Sequence, residues 1–271
     1  MSGPRLYLTT DGGSVAVVRD GPPIAEGRIA RRGDGWEVAV EASAGSAADA
    51  EALGLLLDHL VALTVAAGNG SAHWTVTEPT AAHDSAAAES GLAHRRDLLQ
   101  LRRPLPVEAA IRDHLPSIVT RAFRPGQDEQ AWLAANNRAF ADHPDQGGRT
   151  AADLERLEAS PWFDPEGFLL LDAPPDEERA GSIDAFCWTK VHGDHEPPLG
   201  EIFVIGVNPD AQRRGLGAAM TVAGLDHLAQ RGLPVGMLYV DVINTRAREL
   251  YDRLGFGPHH LDRVYSNSPP D

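Results

Sequence analysis

An apolar strand, Ile202 to Val207, is stopped by Asn208-Pro209-Asp210 and runs on through Gln212-Arg213-Arg214-Gly215-Leu216-Gly217 into a helix. No other segment of the chain restricts the fold as strongly. Leu216, Met220, Gly224 and Leu228 recur every four residues and give that helix a buried stripe. A strand that feeds a glycine turn and a helix start is an α/β unit with an anion site at the turn. The first helical amides lack intrahelical acceptors and carry partial positive charge. Gly215 and Gly217 let the backbone approach an anion with no Cβ in the way, and Arg213 and Arg214 add charge and forked donors. A pyrophosphate is the expected ligand. A P-loop needs Gly-Lys-Ser/Thr after its glycines and a dinucleotide fold needs Gly-x-Gly-x-x-Gly; the segment has neither.

The following segment repeats the strand-to-helix order. Residues 237–242 read as a strand, and Asn244 is a good N-cap for a helix from Thr245. Ala247, Leu250, Tyr251 and Leu254 fall on one helical face, and Gly255 stands where a left-handed stop is expected. Tyr251 therefore lies on the apolar face with a hydroxyl that needs a partner. Upstream, helices are expected around residues 128–140 and 151–160, and strands at 167–173, 182–191 and 201–209. A final strand is expected at 259–266.

The chain has 271 residues, room for two domains of ordinary size. Pro104, Pro106, Pro116 and Pro125 mark a boundary between halves, read as domain 1–103, linker 104–120 and domain 121–271. The first half reads as short strands separated by glycine-rich turns, then a helix at 46–67 with Leu53, Leu56, Leu57, Leu60 and Leu63 on one side. A strand, a short helix at 80–92 and another strand follow. The order of elements resembles that of the second half, which suggests a duplication with a first copy shortened at its front.

A formal charge of −15 disfavours nucleic acid and anionic membrane as partners. A single cysteine, Cys187, excludes an intrachain disulfide and a cysteine-rich metal cluster, and reads as core. The start of the chain lacks the apolar core of a signal peptide, so a cytoplasmic setting is expected. His192, Asp194 and His195 are metal-ligand types but sit in a glycine- and proline-rich stretch; they read as a solvated loop, and no metal is expected.

With these residues in view, the segment resembles the GCN5-related N-acetyltransferase superfamily, whose acyl-CoA motif is Gln/Arg-x-x-Gly-x-Gly/Ala. Gln212 to Gly217 match it, and Asn244 through Leu-Tyr-Asp-Arg-Leu-Gly-Phe match the element that follows. The resemblance implies an α/β (α+β) fold of two tandem acetyltransferase-like domains, the first degenerate. It implies acetyl-CoA as acyl donor. Ile205, Gly206 and Val207 would contact the pantetheine arm beside a strand bulge that frees an amide for the oxyanion. Gln212, Arg213, Arg214, Gly215, Leu216, Gly217 and Ala218 would hold the pyrophosphate. Asn244, Thr245, Arg246, Ala247, Arg248 and Glu249 would complete the donor site. Tyr251 would protonate the departing thiolate, and Glu201 would take the amine's proton.

A narrower resemblance is to the mycothiol-forming branch of that superfamily, two-repeat acetyltransferases that act on the cysteinyl amine of a cysteine–glucosamine–inositol conjugate. It rests on residues 136–148, Trp188 to His192, Glu-Ile-Phe-Val-Ile-Gly-Val and Met-Leu-Tyr-Val. It implies acceptor contacts at Asp145, Lys190, Glu201 and Tyr239, and a monomer whose partner is a small amine. Two features depart from it: Ile243 replaces a common acidic residue, and the first half lacks the acyl-CoA motif, having Ala-Ser-Ala-Gly-Ser-Ala-Ala-Asp at its corresponding turn. An acetyltransferase for another small amine, and a non-catalytic acyl-CoA sensor, remain as alternatives.

Overall fold

The computed structural model describes residues 7–11, 14–18, 23–32, 35–42, 47–68, 70–141, 147–175, 179–212 and 214–268. In chain order the elements are β1 (Tyr7–Asp11), β2 (Ser14–Val18), β3 (Pro23–Arg32), β4 (Gly35–Ala42), α1 (Ala47–Ala66), β5 (Ala72–Thr77), α2 (Ala81–Glu89) and β6 (Ala93–Pro104). Next come α3 (Ala109–Arg112), β7 (Arg121–Ala122), α4 (Glu129–Ala139), α5 (Ala151–Glu158), β8 (Phe168–Asp172), β9 (Ile183–His192) and β10 (Leu199–Val207). The chain closes with α6 (Leu216–Gln230), β11 (Val235–Asp241), α7 (Thr245–Arg253) and β12 (Gly257–Ser266). They form two compact units, residues 1–99 with 260–271, and residues 100–259. Among the described residues, no helix is long and apolar enough to cross a membrane.

In the first unit the strand order is β1-β2-β3-β4-β5-β12. Neighbours up to β4 are antiparallel and β4–β5 is parallel. The leucine stripe read from the sequence seats α1 on this sheet: Leu53, Leu56, Leu57 and Leu60 are all buried. Gly27 of β3 makes that seating possible, because a Cβ there would lie 2.5 Å from Leu60 Cδ1. The corresponding turn at residues 43–46 lies outside the described residues.

β12 was expected in the second half, but residues 260–271 pack in the first unit, where β12 pairs antiparallel with β5 from Asp262↔Thr77 to Ser266↔His73. Tyr265 stacks on Trp74 at 5.2 Å, and Arg263 bonds Asp97 and Asp84. Strand pairing between residues so distant in sequence leaves no local mark. Residues 104–120, read as a connector, also pack with the second unit. Val107 is buried there, Arg103 bonds Glu108 at 2.6 Å, and Arg112 forms an ion pair with Asp226.

The second unit orders its strands β11-β10-β9-β8-β7. α6 covers one face; a Cβ on Gly224 would meet Cys187 Sγ at 2.4 Å, and one on Gly200 would meet Leu228 Cδ2 at 2.8 Å. The other face carries an aromatic core in which Trp188 stacks on Phe168 at 4.2 Å and meets Trp132 of α4 edge-on. The end of β6 lies beside β11, through Leu105 N–H to the Pro234 carbonyl at 2.9 Å.

Candidate active site

The site is built on β10. Its antiparallel pairing with β9 shifts register between Ile202 and Val204, which leaves Phe203 as a bulge. The bulge expected from the resemblance is therefore present. Phe203 and Val204 both reach the aromatic core. Their shared side restores the alternation, so Glu201 and Gly206 face the same way although five positions apart. Gly206 has a packing reason to be glycine, since a Cβ would lie 2.4 Å from Phe186 Cζ.

β10 also pairs in parallel with β11, at Leu199↔Val235, Gly200↔Gly236 and Glu201↔Met237. Among the described residues that ladder ends there, while β10 continues to Val207 and β11 to Asp241. Past Glu201 the two strands leave a wedge with unpaired backbone. In open α/β sheets ligands enter at such carboxyl ends.

Beyond β10, Asn208 accepts from Asp210 N–H and starts a single 3-10 turn, Pro209–Ala211. Gly215 caps α6 in the left-handed region, φ 74°. A side chain there would be strained and would meet Pro116 Cδ at 3.2 Å. The glycine cap has no side chain to occupy the first amides, from Leu216 to Ala218, which keep the anion-binding character read from the sequence. A Cβ on Gly217 would meet Leu250 of α7 and Val207 of β10. The small residue thus sits where β10, α6 and α7 converge. Gln212 is exposed. Arg214 Nη1 lies 3.5 Å from the buried Asp184, which also takes Arg179, so its charge is shared with a fixed carboxylate. Arg213 and Asp145 lie outside the described residues.

α7 follows its expected capping at both ends. Asn244 Oδ1 accepts from Ala247 N–H at 3.1 Å. Gly255 has φ 78°; its amide bonds the Asp252 carbonyl and the Phe256 amide bonds that of Tyr251. This double bond pattern is a Schellman stop, with Phe256 packed edge-on against Tyr251 at 5.7 Å. The Tyr251 ring is buried, and burial first, then the neighbouring Cys187, raises its hydroxyl above the ordinary tyrosine value. The group therefore keeps its proton at neutral pH. Burial also pushes Cys187 up to about 12, in keeping with a core thiol. Thr245, Arg246, Arg248 and Glu249 are exposed on the first turns of α7.

On the opposite side of the wedge the pleat places four side chains on one face. Lys190 is directly across from Glu201, His192 is two residues on, and Tyr239 is two residues past the Met237 partner of Glu201. Glu201 is buried, and its Oε2 lies 2.7 Å from His192 Nε2. An ionised carboxylate only accepts, so His192 holds its proton on Nε2 and donates it. Lys190 Nζ sits 5.0 Å over Trp162 and 5.8 Å over Phe203, an aromatic seat for the ammonium. Tyr239 is 40% exposed and its hydroxyl accepts from Gln100 Nε2 at 2.7 Å. The face is polar, fixed and partly open.

His192 joins this face although its sequence context reads as a solvated loop: it is the last residue of β9 and closes the hairpin opposite Leu199. Its spacing of two from Lys190 was the available signal; the register with Glu201 was not.

Residues 130–256 match the Acetyltransferase (GNAT) family. A Streptomyces coelicolor protein named mycothiol acetyltransferase is 42% identical over 262 residues, 96% of this chain and 79% of that one. This chain belongs to the mycothiol acetyltransferase family. A member of that family from Thermomonospora curvata is 50% identical over 185 residues, 68% of this chain. The match spans 59% of that relative's own length. A tandem GNAT protein from the clavulanic acid biosynthesis pathway superposes with a TM-score of 0.65 at 15% identity, covering 100% of this chain and 86% of that one. The chain thus has a tandem GNAT fold, and the motif residues of β10, α6 and α7 lie in its GNAT-matched part.

Proposed function

We propose that the chain is an N-acetyltransferase that moves the acetyl group of acetyl-CoA to the cysteinyl amine of cysteinyl-glucosaminyl-inositol, the last step in making mycothiol. The observation that carries this reading is the wedge between β10 and β11, with uncapped α6 amides beyond it and the buried Glu201–His192 pair inside it. Family membership supports the acceptor.

The residues fit the donor. The glycine cap and first-turn amides of α6 suit a pyrophosphate, and the unpaired backbone of Ile205 to Val207 suits an extended arm. Asn244 to Glu249 present an exposed helix start nearby in sequence. When bound, acetyl-CoA supplies an activated acyl carbonyl. The chain does the rest. Glu201, oriented by the His192 Nε2–H, accepts the ammonium proton and leaves a neutral nucleophile. A bulge amide near Phe203 stabilises the charge that develops on the carbonyl oxygen. Tyr251 donates to the thiolate as it leaves.

Lys190, Tyr239 and Glu201 offer fixed polar contacts to a polyhydroxylated acceptor; Asp145 joins them on the family resemblance alone. Trp162 and Phe203, which seat Lys190, give sugar rings an aromatic surface on that face. The enzyme is expected to act in the cytoplasm as a monomer, without a metal requirement.

The test is acetylation of cysteinyl-glucosaminyl-inositol against spermidine, with product read by mass spectrometry. A preference of at least about 100-fold in kcat/KM for the former, ~2.7 kcal/mol, supports the reading. Equal rates would assign another amine. Tight acetyl-CoA binding with no acetylation of either would assign a sensor.

A further inference from the structure

His192, Asp194 and His195 present ligand atoms that all lie within 4.8 Å of one another. Two imidazoles and a carboxylate are a ligand set for a divalent transition ion such as zinc, with a fourth position left for water. Zinc bonds of about 2.1 Å in tetrahedral geometry need ligand atoms roughly 3.4 Å apart, so the widest separation in the cluster must close by up to about 1.4 Å. The hairpin permits this: Asp194 and His195 are exposed, and a Cβ added at Gly193 would meet nothing within 4 Å.

A second, independent contact makes the cluster more than a set of neighbours. His192 already gives Nε2 to Glu201 at 2.7 Å, which leaves Nδ1 for a metal. A ligating histidine that hands its other nitrogen to a carboxylate is the usual outer-shell arrangement, because the carboxylate fixes the tautomer and raises the ligand's basicity. The rings of His192 and His195 stand edge-to-face with centroids 5.8 Å apart, both within the β9–β10 hairpin.

We propose that His192, Asp194 and His195 form a zinc-binding site whose occupation switches acetyl transfer off. This rests on the assignment of Glu201 as proton acceptor. With a metal on Nδ1 the His192 ring is locked, Glu201 can no longer turn on it toward the incoming amine, and the ion with its bound water narrows the acceptor face. The family's acyl-CoA elements on α6 and α7 contribute nothing to the metal site, so acetyl-CoA affinity is unaffected by the ion.

The test uses the full chain stripped with chelator. Zinc chloride is titrated by calorimetry, and cobalt(II) by its visible absorption, which reports coordination without turnover. One zinc per chain is expected, with affinity reduced at least about 10-fold in both Asp194→Ala and His195→Ala. Metal-free, both variants should acetylate at the parent rate. Zinc at saturation should lower kcat of the parent at least about 10-fold, and the zinc concentration giving half of this effect should rise at least about 10-fold in His195→Ala. Zinc affinity that is absent, or unchanged by both substitutions, overturns the site. Binding that depends on both residues but leaves kcat unaltered overturns the switch. An inactive metal-free parent speaks against the catalytic reading alone, because the cobalt spectrum still reports the site.

Discussion

His192 Nε2 lies 2.7 Å from Glu201 Oε2, across the β9–β10 hairpin beside the wedge. The bond ties a buried carboxylate to a side chain that begins the loop, so the geometry of the acceptor side is set by strand register. Glu201→Gln keeps the shape and removes the base. It is expected to lower kcat by about 10²- to 10⁴-fold with little change in acetyl-CoA affinity. His192→Gln should cost less, because the carboxylate survives and only its orientation is lost. Steady-state kinetics alongside acetyl-CoA titration separate the two effects.

Tyr251 has a buried ring, and its place is secured by the Schellman stop and by Phe256. Removing its hydroxyl leaves that packing in place. Tyr251→Phe should therefore lower kcat by about 10- to 10³-fold while the thermal midpoint stays within a degree or two. Equal losses in turnover and acetyl-CoA affinity would make the side chain structural.

Gly215 holds a left-handed cap, φ 74°, against Pro116. Gly215→Val should cost about 1–2 kcal/mol of local strain and distort the first α6 amides. Acetyl-CoA affinity is expected to fall at least about 10-fold by calorimetry, with the first unit still folded by hydrogen exchange. Unaltered affinity would move the pyrophosphate elsewhere.

In the first unit, Arg263 bonds Asp97 and Asp84. Hydrogen bonds from Arg263 hold Asp97 below its ordinary 3.8; for Asp84 the Tyr265 hydroxyl is the larger cause and Arg263 the next. Carboxylates with lowered folded values stabilise at pH above 3.8 and lose that contribution as pH falls through the lowered values. Arg263→Met should thus be less stable near neutrality and show a shallower loss of stability in acid. Denaturant midpoints measured from pH 7 to 3 test this.

The donor side was legible because its signals are local. The Gln212-to-Gly217 turn, the Asn244 cap and the Gly255 stop each depend on a few consecutive residues, and all the described ones stand where the pattern places them. The acceptor side was legible only in part. Lys190, Glu201 and Tyr239 come together through strand register, and His192 joins Glu201 through a hairpin whose loop composition concealed a strand end. β12 was harder still. Its packing against Trp74 and Asp97 joins residues some two hundred positions apart, for which neither periodicity nor turn chemistry offers a sign.

A crystal structure with acetyl-CoA bound tests the central claim most directly. The account predicts the pyrophosphate on the amides of Leu216, Gly217 and Ala218, the arm along Ile205 to Val207, and the thioester between Glu201 and Tyr251. Coenzyme A found away from the start of α6, or a thioester that reaches neither side chain, would contradict it.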